Sequence, residues 1–199
     1  MPVVVPLKTE PCTRLLAYWN GLRGGRVLPC RAEIDPAAFI AILPWVAIVE
    51  VRDPDTMVYR LCGTALRDIM GIEATGLNML DLAPPEGRLQ RAYRNWVAAT
   101  RPCATGYEMN LTYPSGAMYG HEGVSLPIAA EQPGAPALLL RAFAPIPGVI
   151  WYNRRAMPRA AGEYDFRFVD IGAGVPASID PPEDFLRTVA LQARGALQE

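Results

Sequence analysis

Residues 45–70 read WVAIVEVRDPDTMVYRLCGTALRDIM, and this stretch decides the fold. Trp45 to Val51 is a compact apolar run rich in β-branched residues, and Arg52-Asp-Pro-Asp55 is a turn. Met57 to Cys62 alternates in period two, so the two runs predict a β-hairpin. Gly63-Thr64 then opens a short helix, Ala65 to Met70, which Gly71 ends.

Downstream, Glu73 to Pro85 is turn-rich and irregular. Pro85 to Thr100 is the clearest helix, with Leu89, Tyr93, Trp96 and Val97 as an apolar stripe and Arg88, Arg91 and Arg94 on the other side. Three strands follow, at Ala104–Tyr113, Met118–Ile128 and Ala137–Ala144, joined by the turns Pro114-Ser-Gly116 and Glu131–Pro136. A hairpin, helices and a three-strand meander make an α+β fold: a five-stranded antiparallel sheet with helices on one face.

Upstream, Thr13 to Leu22 reads as a helix stopped by Gly24-Gly25, and a second short helix starts at Asp35-Pro36 and ends before Leu43-Pro44. Past Pro145 the composition shifts to Gly, Pro, Arg and Ala. A strand candidate lies at Glu163–Ile171, and a capped helix starts at Asp180-Pro-Pro-Glu183 with Phe185, Leu186, Val189, Ala193 and Leu197 along one side. The expected organisation is a helical segment over 1–44, a core over 45–145 and an extension over 146–199.

Composition narrows the function. The 199 residues carry a net charge of −1, and the densest basic stretch, Arg154-Arg155 with Arg159, is followed by Glu163, Asp165 and Asp170, so no nucleic-acid-binding stripe is present. Cys12, Cys30, Cys62 and Cys103 are scattered without a C-x-x-C pair, and His121 is the sole histidine, which gives no metal-ligand pattern. The most apolar stretch, Ala137–Trp151, is broken by Arg141, Pro145, Pro147 and Gly148, too short for a membrane span. With no signal-peptide pattern, a cytoplasmic protein with reduced thiols is expected.

The run Leu16-Ala-Tyr-Trp-Asn-Gly-Leu-Arg-Gly-Gly25, then Leu28-Pro29, Arg31, Asp35-Pro36 and Leu43-Pro44, resembles the opening of a bacterial family of stand-alone PAS-domain proteins. Tyr59-Arg-Leu-Cys-Gly-Thr-Ala65 is similar to that family's second core strand and its exit into helix; the resemblance covers residues 13–145. It implies a curved five-stranded sheet whose concave face meets helices around a small internal pocket. It also implies ligand or cofactor binding, dimerisation through an N-terminal helix and contact with signalling partners. No kinase, cyclase or helix-turn-helix output pattern is visible, so the implied partner is a separate signalling protein such as a sensor kinase. Tyr18 and Trp19 on the first helix either cover the outer sheet face or join a second subunit.

The expected pocket is lined by Cys62, Leu66, Ile69 and Met70 before the long helix, by Tyr93 and Trp96 on it, and by Tyr107, Met109, Leu111, His121 and Leu140 on the strands. The cofactor is left unknown. The long helix lacks the histidine that the resemblance would require for haem, leaving Cys62 or Cys103 as formal ligands, and Asn78-Met79-Leu80 lacks the cysteine of a flavin photosensor. No catalysis is expected. Three readings are set against one another: a sensor holding a small hydrophobic ligand, an adaptor with a filled core, and an enzyme using His121 with Asp81 or Glu108.

Overall fold

The 45–70 stretch folds as its pattern predicts. Strands β1 (Val46–Asp53) and β2 (Thr56–Cys62) form an antiparallel hairpin, and helix α2 (Thr64–Met70) follows, capped by Gly71 at φ 71°. The structure, a computed structural model, describes residues 2–112, 117–132, 134–152 and 164–195. The expected turn at Pro114–Gly116, the basic residues Arg154, Arg155 and Arg159, and Leu197 lie outside the described residues.

Around the hairpin stand α1 (Glu10–Arg23), α3 (Pro85–Thr100), β3 (Ala104–Thr112), β4 (Ala117–Ile128), β5 (Ala137–Tyr152), β6 (Tyr164–Val169) and α4 (Glu183–Gly195). The strands make one antiparallel sheet in the order β2-β1-β5-β4-β3-β6. It has six strands where five were expected. The sixth comes from the extension: Val169 pairs with Ala104 and Phe168 with Thr105, so β3 gains a neighbour instead of an open edge. Strand β5 also runs past Pro145 to Tyr152. A register shift on its partner between Tyr119 and His121 accommodates Pro145 and Pro147, since a proline in a strand is tolerated at such irregularities.

The free edge of β2 is covered by the irregular loop after α2. Tyr59 N–H donates to the Leu77 carbonyl at 3.0 Å, Gly76 N–H to Tyr59 at 2.7 Å and Met79 N–H to Met57 at 2.7 Å. Upstream of β1, the helix expected to stop before Leu43-Pro44 is instead a 3-10 segment, Pro36–Trp45, broken at Phe39 (φ −128°, ψ 28°). Pro44 stands in the closing turn, where Val46 N–H donates to the Leu43 carbonyl; a proline suits the first central position of such a turn because its φ is already set.

Alternation along the strands divides the core. On the outer face, Val46, Ile48, Val124, Leu126, Leu140 and Ala142 pack under Cys12, Leu15, Leu16 and Trp19 of α1. Trp19 is 0% exposed and its indole N–H donates to the Pro127 carbonyl at 2.8 Å, while the Tyr18 hydroxyl accepts from Asp35 N–H. Both aromatics therefore serve this chain's own outer face. The segment before α1 is fastened by the buried Glu122 carboxylate, which accepts from the Lys8 and Thr9 N–H groups and the Thr9 hydroxyl at 2.8–2.9 Å; Glu108 ion-pairs with Lys8 beside it.

On the inner face, Val49, Val51, Met57 and Leu139 meet α3 and Phe185 of α4. The α3 stripe differs from the expectation. Leu89 is exposed, Trp96 is half-buried, and the buried positions include Ala92, Asn95, Ala98 and Ala99, small groups that bring the helix close to its neighbours. Arg94, expected on the solvent side, is buried: its guanidinium lies 4.0 Å from the Phe166 ring centre, and its Nε donates to the Ile179 carbonyl. The residues after β6 cover that side of the helix. Among the described residues no helix is long and apolar enough to cross a membrane.

Candidate functional site

A cavity of about 290 Å³ lies between the inner sheet face and the helices. The sheet supplies Ala47 from β1, Tyr59 from β2, Tyr107, Met109 and Leu111 from β3, and Arg141 and Phe143 from β5. Leu66, Ile69 and Met70 of α2 close it from above, Ile72, Met79 and Leu82 come from the following loop, and α3 adds Arg91. The order of elements explains this. The hairpin turns at Gly63 directly into α2, so the helix is laid across the strands it has just left.

The polar end is built around Arg141, buried at 7% exposure on a central strand. One guanidinium nitrogen donates to the Tyr107 hydroxyl at 2.8 Å, and another lies 3.3 Å from the Met79 sulfur. Tyr107 can lie flat against the sheet because Gly123 is its cross-strand partner. A Cβ on Gly123 would come within 2.1 Å of the tyrosine ring, so any larger residue would push that ring toward the cavity. Phe143 stacks between this tyrosine (6.2 Å) and His121 (5.0 Å).

Of the residues anticipated as lining, the structure places Leu66, Ile69, Met70, Tyr107, Met109 and Leu111 in the cavity wall. The others stand elsewhere. Leu140 points to the outer face opposite Ile48, because side chains alternate along a strand and Arg141 takes the inward position. Tyr93 is turned to the extension: its hydroxyl donates to the Ser178 carbonyl and its ring meets Phe185 edge-on at 5.2 Å. Trp96 packs beside that same cluster. Cys62 shares the cavity's sheet face by register, opposite Ala47, but sits beyond the lining.

His121 lies behind Phe143, fully buried, with Nδ1 3.0 Å from the Tyr119 carbonyl oxygen. The carboxylates considered as its partners are not beside it. Glu108 faces the opposite side of the sheet and ion-pairs with Lys8, while Asp81 is exposed and bonded to Arg88. The Cys12 and Cys103 thiols are pushed up to about 12 and that of Cys62 to about 11, chiefly by burial, which opposes the thiolate a metal would need. Sequence reasoning missed Arg141 and Tyr59. Arg141 was legible as the one charge in an apolar strand; its inward direction depended on register.

A PAS-domain family model matches residues 7–138 of the 199. The chain belongs to the PAS-domain family. Comparison with curated proteins and with solved structures returned no match. In this PAS domain the family match ends at the start of β5, so β5 from Leu139 onward, β6 and α4 lie beyond it. The family assigns a sensory or regulatory role in general terms.

Burial also makes His121 a determinant of acid stability. Its pKa is lowered from 6.5, first by desolvation, against a smaller opposite effect of the Tyr119 carbonyl. Below that value the unfolded chain takes up the proton before the native one does. Stability is thus complete above about pH 7 and falls as the pH drops through 6.5 toward the lower folded value. Urea midpoints at pH 7.5 and 5.5 should differ less in His121→Gln than in the unaltered protein; equal differences would remove His121 as the cause.

Proposed function

We propose that this PAS module senses a small, mainly apolar molecule held in the cavity and reports its occupancy to a separate signalling protein, such as a sensor kinase. The observation that carries the reading is the open volume of about 290 Å³ bounded by α2, α3 and the sheet. Protein interiors are close-packed, and a volume worth about ten waters is not an ordinary packing defect. It favours a ligand site over an adaptor with a filled core. Its walls, apolar with a few polar groups, are those of a small-molecule pocket. A homodimer would have to use surfaces other than Trp19, which the fold already buries.

Native and denaturing mass spectra of the purified full chain test this directly. The expected result is extra mass in the native spectrum that disappears on denaturation and is missing from Leu66→Trp, whose indole would occupy the cavity. A bare native species, together with a melting temperature indifferent to apolar probe compounds in both proteins, would overturn the ligand reading.

A further inference from the structure

Between two clamped points the chain leaves the sheet and covers the cavity. At Gly63 the N–H donates to the Val46 carbonyl at 2.9 Å, and the main-chain oxygens of Leu43 and Pro44 leave no room for a side chain. At the other end Asn78 is held on three sides. Its amide oxygen accepts from the Met57 and Leu80 N–H groups, and its amide nitrogen donates to the Asp55 carbonyl. The stretch from Thr64 to Thr75 lies between these points. Among the described residues it makes no hydrogen bond or ion pair to any residue outside 63–77. Its large apolar side chains are Leu66, Ile69, Met70 and Ile72, and all four line the cavity. They face open volume where a core helix would face close-packed neighbours. Ile72 is 40% exposed while lining the cavity, so the volume reaches solvent at this end of the stretch.

Resting on the ligand reading above, we infer that residues 64–75 form the entrance gate of the cavity. The segment swings away from the sheet to admit the ligand and closes over it, hinged beside Gly63 and at Gly71. A seven-residue helix is not stable by itself in water and depends on what its apolar face covers. Helix α2 has no side-chain cap at its N-terminus and leans on the 3-10 segment Pro36–Trp45. Segments with few buried contacts open locally at a fraction of the cost of unfolding the whole domain. Gly71 sits at φ 71° with nothing within 4 Å of an added Cβ, so the backbone can turn there without collision. A ligand in the cavity supplies Leu66, Ile69, Met70 and Ile72 with the contacts they lack, and binding and closure then stabilise each other.

Thiol labelling of the full chain with N-ethylmaleimide, read by peptide mapping, tests the gate without a ligand. Met109 lies on the sheet wall of the cavity and is 6% exposed, so the thiol of Met109→Cys is reached only when the gate opens. Gly71→Ala strains the closed turn and leaves the cavity wall unaltered. In the Met109→Cys background it is expected to speed that labelling about fivefold or more. Gly172→Ala places a comparable strain (φ 107°, nothing within 4 Å) in a loop of the extension, and is expected to leave the rate unchanged. Labelling as fast as that of the exposed Cys30 without either glycine variant, no change in Gly71→Ala, or equal acceleration by both variants overturns the gate. Should Met109→Cys fail to fold, hydrogen exchange decides. Amides of α2 are expected to exchange about tenfold or more faster than those of β1 and α3, and faster again in Gly71→Ala; exchange in step with β1 overturns the gate. The ligand reading fails separately. Extra mass in the native spectrum with labelling indifferent to Gly71→Ala overturns the gate alone, whereas responsive labelling on a bare native species upholds the gate and overturns only the ligand reading.

Discussion

Gly63→Ala is expected to destabilise the protein by about 3 kcal/mol or more, at the upper end for overpacking, because the new methyl has no space and its neighbours cannot move. A Cβ at this position would lie 2.3 Å from the Pro44 carbonyl oxygen and 2.4 Å from that of Leu43, both main-chain atoms. The two segments are tied together there, since Gly63 N–H donates to the Val46 carbonyl at 2.9 Å. For a chain of this length such a loss lowers the melting temperature by roughly 6–12 °C. Gly71→Ala provides the contrast. Its φ of 71° disfavours a side chain, but nothing lies within 4 Å of the added Cβ, so the cost is limited to about 1–2 kcal/mol. Equal melting temperatures for the two variants would show that the corner at Gly63 is not tightly packed. Since that corner launches α2, Gly63→Ala should also weaken any ligand held by Leu66, Ile69 and Met70.

Trp19→Ala should cost about 3–5 kcal/mol, as expected for emptying the site of a fully buried aromatic. Trp19 fills the space between α1 and the outer sheet face, donates to Pro127, and has the Arg23 guanidinium 5.2 Å from its ring centre. Trp19→Phe retains most of the volume and loses the hydrogen bond, so a loss nearer 1 kcal/mol is expected. Urea unfolding at several protein concentrations separates this role from an interface role. A drop in midpoint that is the same at every concentration fits a tryptophan belonging to one chain. A drop that appears only on dilution would place it between subunits and overturn the account of α1 given above.

Much of the secondary structure was legible because it is local. A β-branched apolar run marked β1, a period-two run marked β2 and turn-rich connections set off β3 and β4, while α3 matched its expected bounds from Pro85 to Thr100, set by a proline at the first turn and Arg101-Pro102 at the end. The cavity was half legible. Leu66, Ile69 and Met70 could be assigned because a short helix after a hairpin has one way back onto the sheet. Tyr93, Trp96 and Leu140 could not, because each depends on what arrives from a distant part of the chain. Residues 178–185 claim Tyr93, and a one-residue parity along β5 exchanges Leu140 for Arg141. Arg94 shows the same limit. A charge on the outside of an isolated helix reads as solvated, and only the docking of Phe166 and Ile179 buries it.

By itself the sequence determined the class of fold, the order of its elements and the PAS resemblance, since turn chemistry, helix stops and side-chain periodicity act over a few residues. The tertiary structure alone decided the sixth strand, the outer-face role of Trp19, the empty volume beneath α2 and the inward arginine. Those depend on pairings between residues tens to over a hundred positions apart, such as Ala104 with Val169 and Trp19 with Pro127, and local periodicity carries no information about them.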